Sequence, residues 1–433
     1  MNSVWFDKSE IRSFDSLNRD ISTDVLIIGG GMAGILCAYE LKNSGIDCVL
    51  VEAKKLCSGV TGNTTAKITV QHGLIFDKIL NKYGDSAVKL YLDSQQEALD
   101  KYSSLCENID SCFERKDSYV YSMNDREAIE KELTAIKKAG ADAEICDSVN
   151  LPFDISGAVR FRNQAQFNPL RFIAGIAKSI NVYENTKVIE LLPYKAKTQH
   201  GTISFKKVVI ATHFPFINKH GLYFMKMYQH RSYVIALEGA ENVDAMYVDE
   251  YDKGLSFRNY GNLLLLGGGS HRTGKNGGNW AELERFAKKY YPSAKIVNKW
   301  ATQDCMTLDG MPYIGQYSKS TPDMYVATGF NKWGMSSSMV AATIICDIIK
   351  GQKNKYVELY NPSRNIIHPQ LAINLFDTVC NLLTPTTPRC PHLGCALKYN
   401  KSEHSWDCPC HGSRFDENGN LLDNPATDDK KNI

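Results

Sequence analysis

Asp24-Val25-Leu26-Ile27-Ile28-Gly29-Gly30-Gly31-Met32-Ala33-Gly34-Ile35-Leu36 is the stretch on which the fold turns. The apolar run Asp24 to Ile28 predicts a short strand. A helical pattern follows from Met32 to Ser44, with Ile35, Leu36, Tyr39 and Leu41 apolar, and a second strand from Cys48 to Val51. Strand, helix and strand make a βαβ unit. Between the first two lies G-x-G-x-x-G. In that pattern Gly29 permits the tight turn, Gly31 lets the backbone approach a pyrophosphate, and Gly34 lets the helix pack on the strand. The helix then turns its positive end toward the phosphates. Glu52 ends the second strand, where an acidic residue would bind a ribose diol. Strand, turn, helix and acid in register predict a dinucleotide site.

The turn alone does not separate FAD from NAD, and later segments do. Gly59-Val60-Thr61-Gly62-Asn63-Thr64-Thr65-Ala66-Lys67 is small, polar and glycine-broken, suited to wrap a pyrophosphate and a ribityl chain. Val208 to Thr212 reads as a strand ending in the small residues Ala211 and Thr212. Gly329-Phe330-Asn331-Lys332-Trp333-Gly334-Met335 sits between a strand and a helix, where amides can meet the flavin edge that gains negative charge on reduction. No second G-x-G-x-x-G opens a helix. Gly267-Gly268-Gly269-Ser270-His271 follows a strand but leads into more polar residues, so it reads as a loop of a substrate domain and disfavours an NAD site.

On these residues, with Asn168-Pro169, Val188 and Trp300 to Gly315, the first 355 or so residues resemble the D-amino-acid-oxidase-like family of FAD-dependent oxidoreductases. The resemblance implies non-covalent FAD held by Gly29, Gly31, Met32, Ala33, Gly34, Glu52, Ala53 and Lys54. It adds Gly59, Thr61, Thr64, Thr65, Ala66 and Lys67, then Val188, Ala211, Thr212 and Gly310, and finally Gly329, Asn331, Lys332, Trp333, Gly334 and Met335. Some relatives attach FAD through a histidine near Thr61 to Thr65; Gly62 and Asn63 stand there in this chain. Cys305 is off the spacing of the alternative cysteine linkage and reads as a core thiol.

Near the C-terminus, Cys390-Pro391-His392-Leu393-Gly394-Cys395 and Cys408-Pro409-Cys410-His411-Gly412-Ser413 form C-x-H, fifteen residues, then C-x-x-H. In a Rieske centre two cysteines hold one iron and two histidines the other; here Cys390, Cys408, His392 and His411 fill those roles. Tetrahedral zinc also accepts two cysteines and two histidines, and an empty site is a further reading. Cys390 to Ala426 resembles the cluster-binding part of Rieske proteins, including Trp406-Asp407 and Phe415 to Gly419. The resemblance implies a 2Fe–2S cluster, a Cys395–Cys410 disulfide bridging the two loops, and a hydrogen bond from Ser413 to a bridging sulfide. A full Rieske domain has a base of strands ahead of its first loop. Little strand-like sequence precedes Cys390, so the module is expected to be truncated, with the FAD domain as its shield.

The expected architecture is α/β and α+β. A Rossmann-like FAD-binding domain (about 20–75, 160–215 and 300–355) is interleaved with a mixed-sheet substrate domain (about 76–160 and 216–300). A linker, 356–388, follows, with a short helix near Leu371 to Leu383, and then a small all-β module, 389–433. Fifty basic and 48 acidic residues are well mixed over 433 residues, for a net charge of +2, which argues against nucleic acid as a partner. No signal-like or membrane-length apolar run occurs, and a cytoplasmic location is expected. Most of the thirteen cysteines then read as buried free thiols.

A flavin takes two electrons as a hydride and a Rieske cluster carries one, so joining them makes a two-to-one electron step. The leading expectation is a dehydrogenase or oxidase of C–N bonds in amines or amino acids, with an unidentified electron acceptor. The alternatives are a reductase fed through the cluster and a non-catalytic redox sensor. Candidate catalytic residues are His72, which follows the Thr64 to Thr69 stretch; Lys67, a cation near the flavin; and Arg231 with Tyr233, a clamp for a substrate carboxylate. Each also has a structural reading: a satisfied histidine, a solvated lysine and a surface salt bridge. Trp333 can equally be core, and Tyr260, His271 and Arg272 are weaker candidates.

Overall fold

The computed structural model describes residues 3–9, 11–217, 220–251, 254–365, 367–385 and 388–430. Its first layer is an eight-stranded sheet. The path runs Tyr313–Gln316, Met324–Thr328, Thr202–Ile210, Ile21–Ile28, Cys48–Val51, Val182–Tyr183, and a hairpin, Val188–Leu192 with Lys195–Thr198, pairs onto Thr202–Ile210. Ile21–Ile28 is parallel to both Thr202–Ile210 and Cys48–Val51. Both faces of these strands are buried, one under helices and the other under the hairpin with Phe214, Tyr223 and Tyr317, which is why they read as unbroken apolar runs rather than alternating ones. Leu26, Ile27, Leu50, Val209 and Ile210 are all buried. The helix Met32–Asn43 packs against Gly334–Ile349, itself buried almost all round.

The second layer is a nine-stranded sheet. Its path runs Lys295–Thr307, Met227–Glu238, Leu263–Arg272, Ser256–Tyr260, Met246–Asp249, Glu114–Ser122, Gly157–Gln166 and Lys67–Ile68, with Ala143–Cys146 paired onto Gly157–Gln166. Two strands overrun the expected borders. Gly157–Gln166 and Lys295–Thr307 belong wholly to this sheet, so 160–166 and 300–307 stand outside the FAD-binding layer. The cause is pairing: Lys295–Thr307 follows Met227–Glu238 from Lys295 to Thr307. Gly267 to His271 is also strand rather than loop, the continuation of Leu263–Arg272. A Cβ on Gly269 would come 2.3 Å from the Asn279 carbonyl, so glycine lets the strand pass under the following helix. Two helices, Ile75–Tyr83 and Asp85–Cys106, follow the Lys67–Ile68 strand and are separated by Gly84 at φ +81°.

The third element is a four-stranded antiparallel sheet of Lys398–Asn400, Ser405–Asp407, Arg414–Asp416 and Leu421–Asp423. Among the described residues only an isolated Arg389–Ala396 bridge stands ahead of it in place of a strand base. The segment expected as linker carries Pro369–Leu383, a helix docked by its polar side. Asp377 pairs with Arg272 at 3.0 Å and Lys275 at 2.8 Å, while Phe376 and Leu383 face solvent. No helix among the described residues is long and apolar enough to cross a membrane.

Candidate functional site

A cavity of about 1060 Å³ opens between the first two layers and extends to the small sheet, at the upper end of the usual range for cofactor sites. Its floor is the glycine turn. A Cβ on Gly34 would sit 2.0 Å from the Gly29 carbonyl, and one on Gly29, at φ +113°, would sit 2.5 Å from the Ala211 carbonyl. Glycine at 29 and 34 is therefore steric necessity. Glu52 accepts the Gly30 amide at 2.7 Å and the Lys54 amide at 2.8 Å; burial raises its carboxyl, and the two amides oppose that. Thr61 Oγ1 accepts the Met32 amide at 2.9 Å. Neither Met32–Asn43 nor Gly334–Ile349 has an acidic residue in its first turn, so both helix N-termini offer positive ends to an anionic ligand.

The cavity is lined by Gly29, Gly31, Met32, Ala33, Glu52, Ala53, Lys54, Gly59, Thr61, Thr64, Thr65, Lys67, Val188, Ala211 and Thr212. Asn331, Lys332, Trp333, Gly334 and Met335 complete that wall. Four expected contacts lie behind it: Gly34, packed on the strand; Ala66, fully buried; and Gly310 and Gly329, whose carbonyls accept Asn331 Nδ2 at 3.0 and 2.6 Å. Asn331 Oδ1 also accepts the Thr307 amide at 2.8 Å. One side chain thus ties a turn in which both Asn331 and Lys332 take positive φ.

Two catalytic candidates are corrected. His72 has both ring nitrogens engaged: Nδ1 with Tyr91 at 2.5 Å, and Nε2 with Thr69 O and Ser336 Oγ at 2.9 Å each. It stacks on Trp333 at 4.8 Å, and burial lowers its pKa to about 3, so it is a neutral structural histidine with no nitrogen left for a substrate. Arg231 is no substrate clamp. Its guanidinium pairs with Glu403 of the small sheet, with Nε to Oε1 at 3.0 Å, and lies 3.9 Å from Asp423. Tyr233 donates to the same Glu403 oxygen at 2.8 Å. Lys67 lines the cavity, 3.3 Å from Thr65 Oγ1; burial, then Arg258, lowers its amine to about 7. Cys305 is a buried thiol raised by burial. Of the weaker candidates, Tyr260 and Arg272 point elsewhere: Asn168 donates to Tyr260, and Arg272 pairs with Asp377.

In the small module Cys395 and Cys410 are disulfide-bonded. The sulfurs of Cys395, Cys408 and Cys410 are clustered within 4.8 Å, but two of the three are bonded to each other and are lost as metal ligands. That leaves Cys390 and Cys408, both buried, as the thiol pair. Cys390 is drawn down by a hydrogen bond with Cys408, against burial, with help from the His392 amide and the Ser413 hydroxyl. The rings of His392 and His411 stand edge to face with centroids 5.0 Å apart. Burial lowers them to about 4 and about 3, leaving the neutral imidazoles that metals require. His411 Nδ1 is buried without a hydrogen-bond partner, a position that suits an imidazole metal ligand. The residues present therefore fit a two-cysteine, two-histidine cluster.

The shield expected from the first domain is present. Gln229 Nε2 donates to the carbonyls of His411 at 2.8 Å and Asn424 at 2.9 Å. Gln303 Nε2 donates to Gly412 O at 2.8 Å and to Gln229 Oε1 at 2.7 Å. A Cβ on Gly412, at φ +88°, would meet Gln229 at 2.6 Å. Sequence reading passed over Gln229, Gln303 and Glu403, because a single polar residue in a strand or turn carries no motif; only pairing reveals them.

This combination defines an FAD-dependent oxidoreductase, an enzyme, with an iron–sulfur module. The profile of the family described as FAD dependent oxidoreductase matches residues 24–348, and that of the Rieske [2Fe-2S] domain matches residues 373–433. The chain belongs to the FAD dependent oxidoreductase family and carries a C-terminal Rieske domain; FAD and a 2Fe–2S cluster are its cofactors. It is 32% identical to a protein described as a Rieske 2Fe-2S iron-sulfur protein, YhfW, of Bacillus subtilis, over 100% of this chain and 97% of that one. It is 22% identical to gamma-glutamylputrescine oxidoreductase of Escherichia coli, over 79% and 87%. The fold is similar to that of L-proline dehydrogenase from P. horikoshii, with TM-score 0.68, 17% identity, and 80% and 98% coverage. The Rieske match begins inside Pro369–Leu383, so that helix falls within the region matched to the domain rather than in a bare linker.

Proposed function

We propose that the protein is a dehydrogenase of C–N bonds in a small amine-type substrate, passing electrons one at a time through its Rieske module to an acceptor. The observation that carries this reading is continuity. One cavity runs from the Gly29 turn to Glu403, Asp423 and Asn424 of the Rieske module, and the strands that wall it hold the His411 loop through Gln229 and Gln303. Gamma-glutamylputrescine oxidoreductase and L-proline dehydrogenase are named for nitrogen compounds, as are a glycine oxidase and an L-amino acid deaminase of similar fold, while two other similar proteins are named for glycerol phosphate; the amine reading follows the more numerous group.

Bound FAD accepts a hydride and the cluster carries single electrons. The chain's own residues do the rest. The Gly29 turn and the N-terminus of Met32–Asn43 would hold the pyrophosphate, with Glu52 toward the ribose. The N-terminus of Gly334–Ile349 and the Asn331 turn would face the flavin ring. Lys67, with its amine brought to about 7, can hold or release a proton at Nζ near neutral pH. Cys390, Cys408, His392 and His411 would ligate the irons. Gln229 and Gln303 keep the His411 loop against the sheet and so fix its position relative to the cavity.

The test mixes anaerobic holoprotein with a panel of amines and follows the flavin band and the cluster EPR signal together. Bleaching of the flavin followed by a reduced-cluster signal is expected. In Cys408→Ala the flavin should still bleach, while turnover with a one-electron acceptor should fall at least about tenfold. Equal turnover in that variant would overturn the relay.

A further inference from the structure

Residues paired directly across antiparallel strands share a face of the sheet. Here Val234 pairs with Trp300, Ser232 with Thr302, and His230 with Asp304. Trp300 Nε1 donates to the Asn63 carbonyl at 2.9 Å, so this face looks toward the loop Gly59 to Lys67. The alternate residues Gln229, Arg231 and Gln303 face the Rieske module. The same two strands therefore turn one face toward the Gly59 to Lys67 loop and the other toward the cluster loops, where Arg231 and Gln303 line the far end of the same cavity.

Two polar groups on the cavity face stand out. Thr302 Oγ1 is buried without a hydrogen-bond partner. Two residues along, the Asp304 carboxylate receives no hydrogen bond from any described residue; Lys332 and Arg231 act on it only through space, and burial raises it to about 6. Both residues line the cavity, as do Ser232 and Ser270, whose hydroxyls bond each other at 3.0 Å. A buried hydroxyl left without a partner is costly, and a half-buried carboxylate lining the cavity beside it has room for a donor from a ligand. The group that satisfies a carboxylate and neighbouring hydroxyl oxygens together is an ammonium, with several donors and a positive charge. Arg231, the candidate for a substrate carboxylate, spends two of its guanidinium nitrogens on Glu403 at the Rieske end of the cavity.

We infer that Asp304 and Thr302 form a subsite for the ammonium group of the substrate, and that Asp304 is the residue that selects a cationic amine over neutral or anionic compounds of the same shape. The inference rests on the amine reading above and deepens it.

The test titrates the flavin-loaded protein under anaerobic conditions with n-butylamine, n-butanol and butyrate, reading each Kd from the flavin absorbance or, where that is bleached, from tryptophan fluorescence. Wild type should bind the amine at least about tenfold tighter than the alcohol, and butyrate most weakly. Asp304→Asn should weaken the amine by about 30-fold and leave the alcohol within about threefold. Thr302→Val should weaken the amine by about threefold to tenfold, and it carries the test if Asp304→Asn does not load with flavin. Equal binding of amine and alcohol, or an unchanged amine Kd in the variant that loads, overturns the subsite. An amine that binds through Asp304 yet never bleaches the flavin would sink C–N oxidation alone. Bleaching that ignores Asp304 would sink the subsite alone.

Discussion

Replacing Glu403 by glutamine keeps the shape of the domain junction and removes one charge. In the wild type Glu403 Oε1 is 3.0 Å from Arg231 Nε and accepts Tyr233 OH at 2.8 Å, and Oε2 is 2.9 Å from an Arg414 guanidinium nitrogen. All three charged side chains are nearly fully buried: 5% exposed for Arg231, 8% for Glu403 and 6% for Arg414. Glu403→Gln leaves two buried guanidiniums to share Asp407 and Asp423. Unpairing a buried ion pair costs about 3–5 kcal/mol. A second route gives the same size. Burial pushes the Glu403 carboxyl up, but Arg231 and Arg414 more than reverse this and hold it at about 2 rather than 4.5, a difference of about 3 kcal/mol. A depressed carboxylate stabilises the fold fully above its unfolded pKa, and that contribution is lost as pH falls through its folded value. The Glu403→Gln variant should therefore unfold with about 3 kcal/mol less free energy at pH 7, and the two proteins should converge as the pH drops from about 4.5 toward about 2. Urea unfolding across this pH range measures it, with protease cleavage between the domains as a second readout. A variant within about 0.5 kcal/mol of wild type at pH 7, or a gap that persists at the lowest pH, would refute the reasoning.

Two further outcomes are expected. The Cys395–Cys410 bridge has a sequence separation of 15, for which chain entropy assigns about 3 kcal/mol; Cys395→Ser should lose that from the module and bleach its iron–sulfur absorbance faster under mild reductant, and an unchanged bleaching rate would count against a structural bridge. Lys67 has its amine lowered from 10.5 to about 7, chiefly by burial. The unfolded chain then binds more protons than the folded one between those values, so apoprotein stability should rise with pH from about 7 to about 10.5. Lys67→Met should remove that rise and melt higher at pH 7, as checked by thermal melts across the range.

Much of the fold was legible because its signals are local. The βαβ unit needed only the periodicity of residues 24–52 and three glycines, two of which the backbone makes sterically obligatory. The cluster motif was legible for the same reason: four ligand-type residues lie within 22 positions, on two tight loops. Layer borders were less so, since Lys295–Thr307 joins the second sheet through its pairing with Met227–Glu238, some 70 residues earlier, and no local pattern announces a partner that distant. His72 and Arg231 looked reactive as isolated residues and became structural once their partners arrived: Tyr91 and Ser336 for the one, Glu403 for the other.

The amino-acid sequence by itself determined which cofactors this chain can hold, because a glycine turn and a C-x-H with C-x-x-H pair impose their backbone geometry over a few residues, whatever surrounds them. Only the tertiary structure decided how the two centres meet. It placed Gln229 and Gln303 under the His411 loop, spent Arg231 on the domain junction, and set Thr302 and Asp304 bare toward the cavity. Strand register selects which face each of these side chains takes, and register is fixed by contacts between segments far apart along the chain.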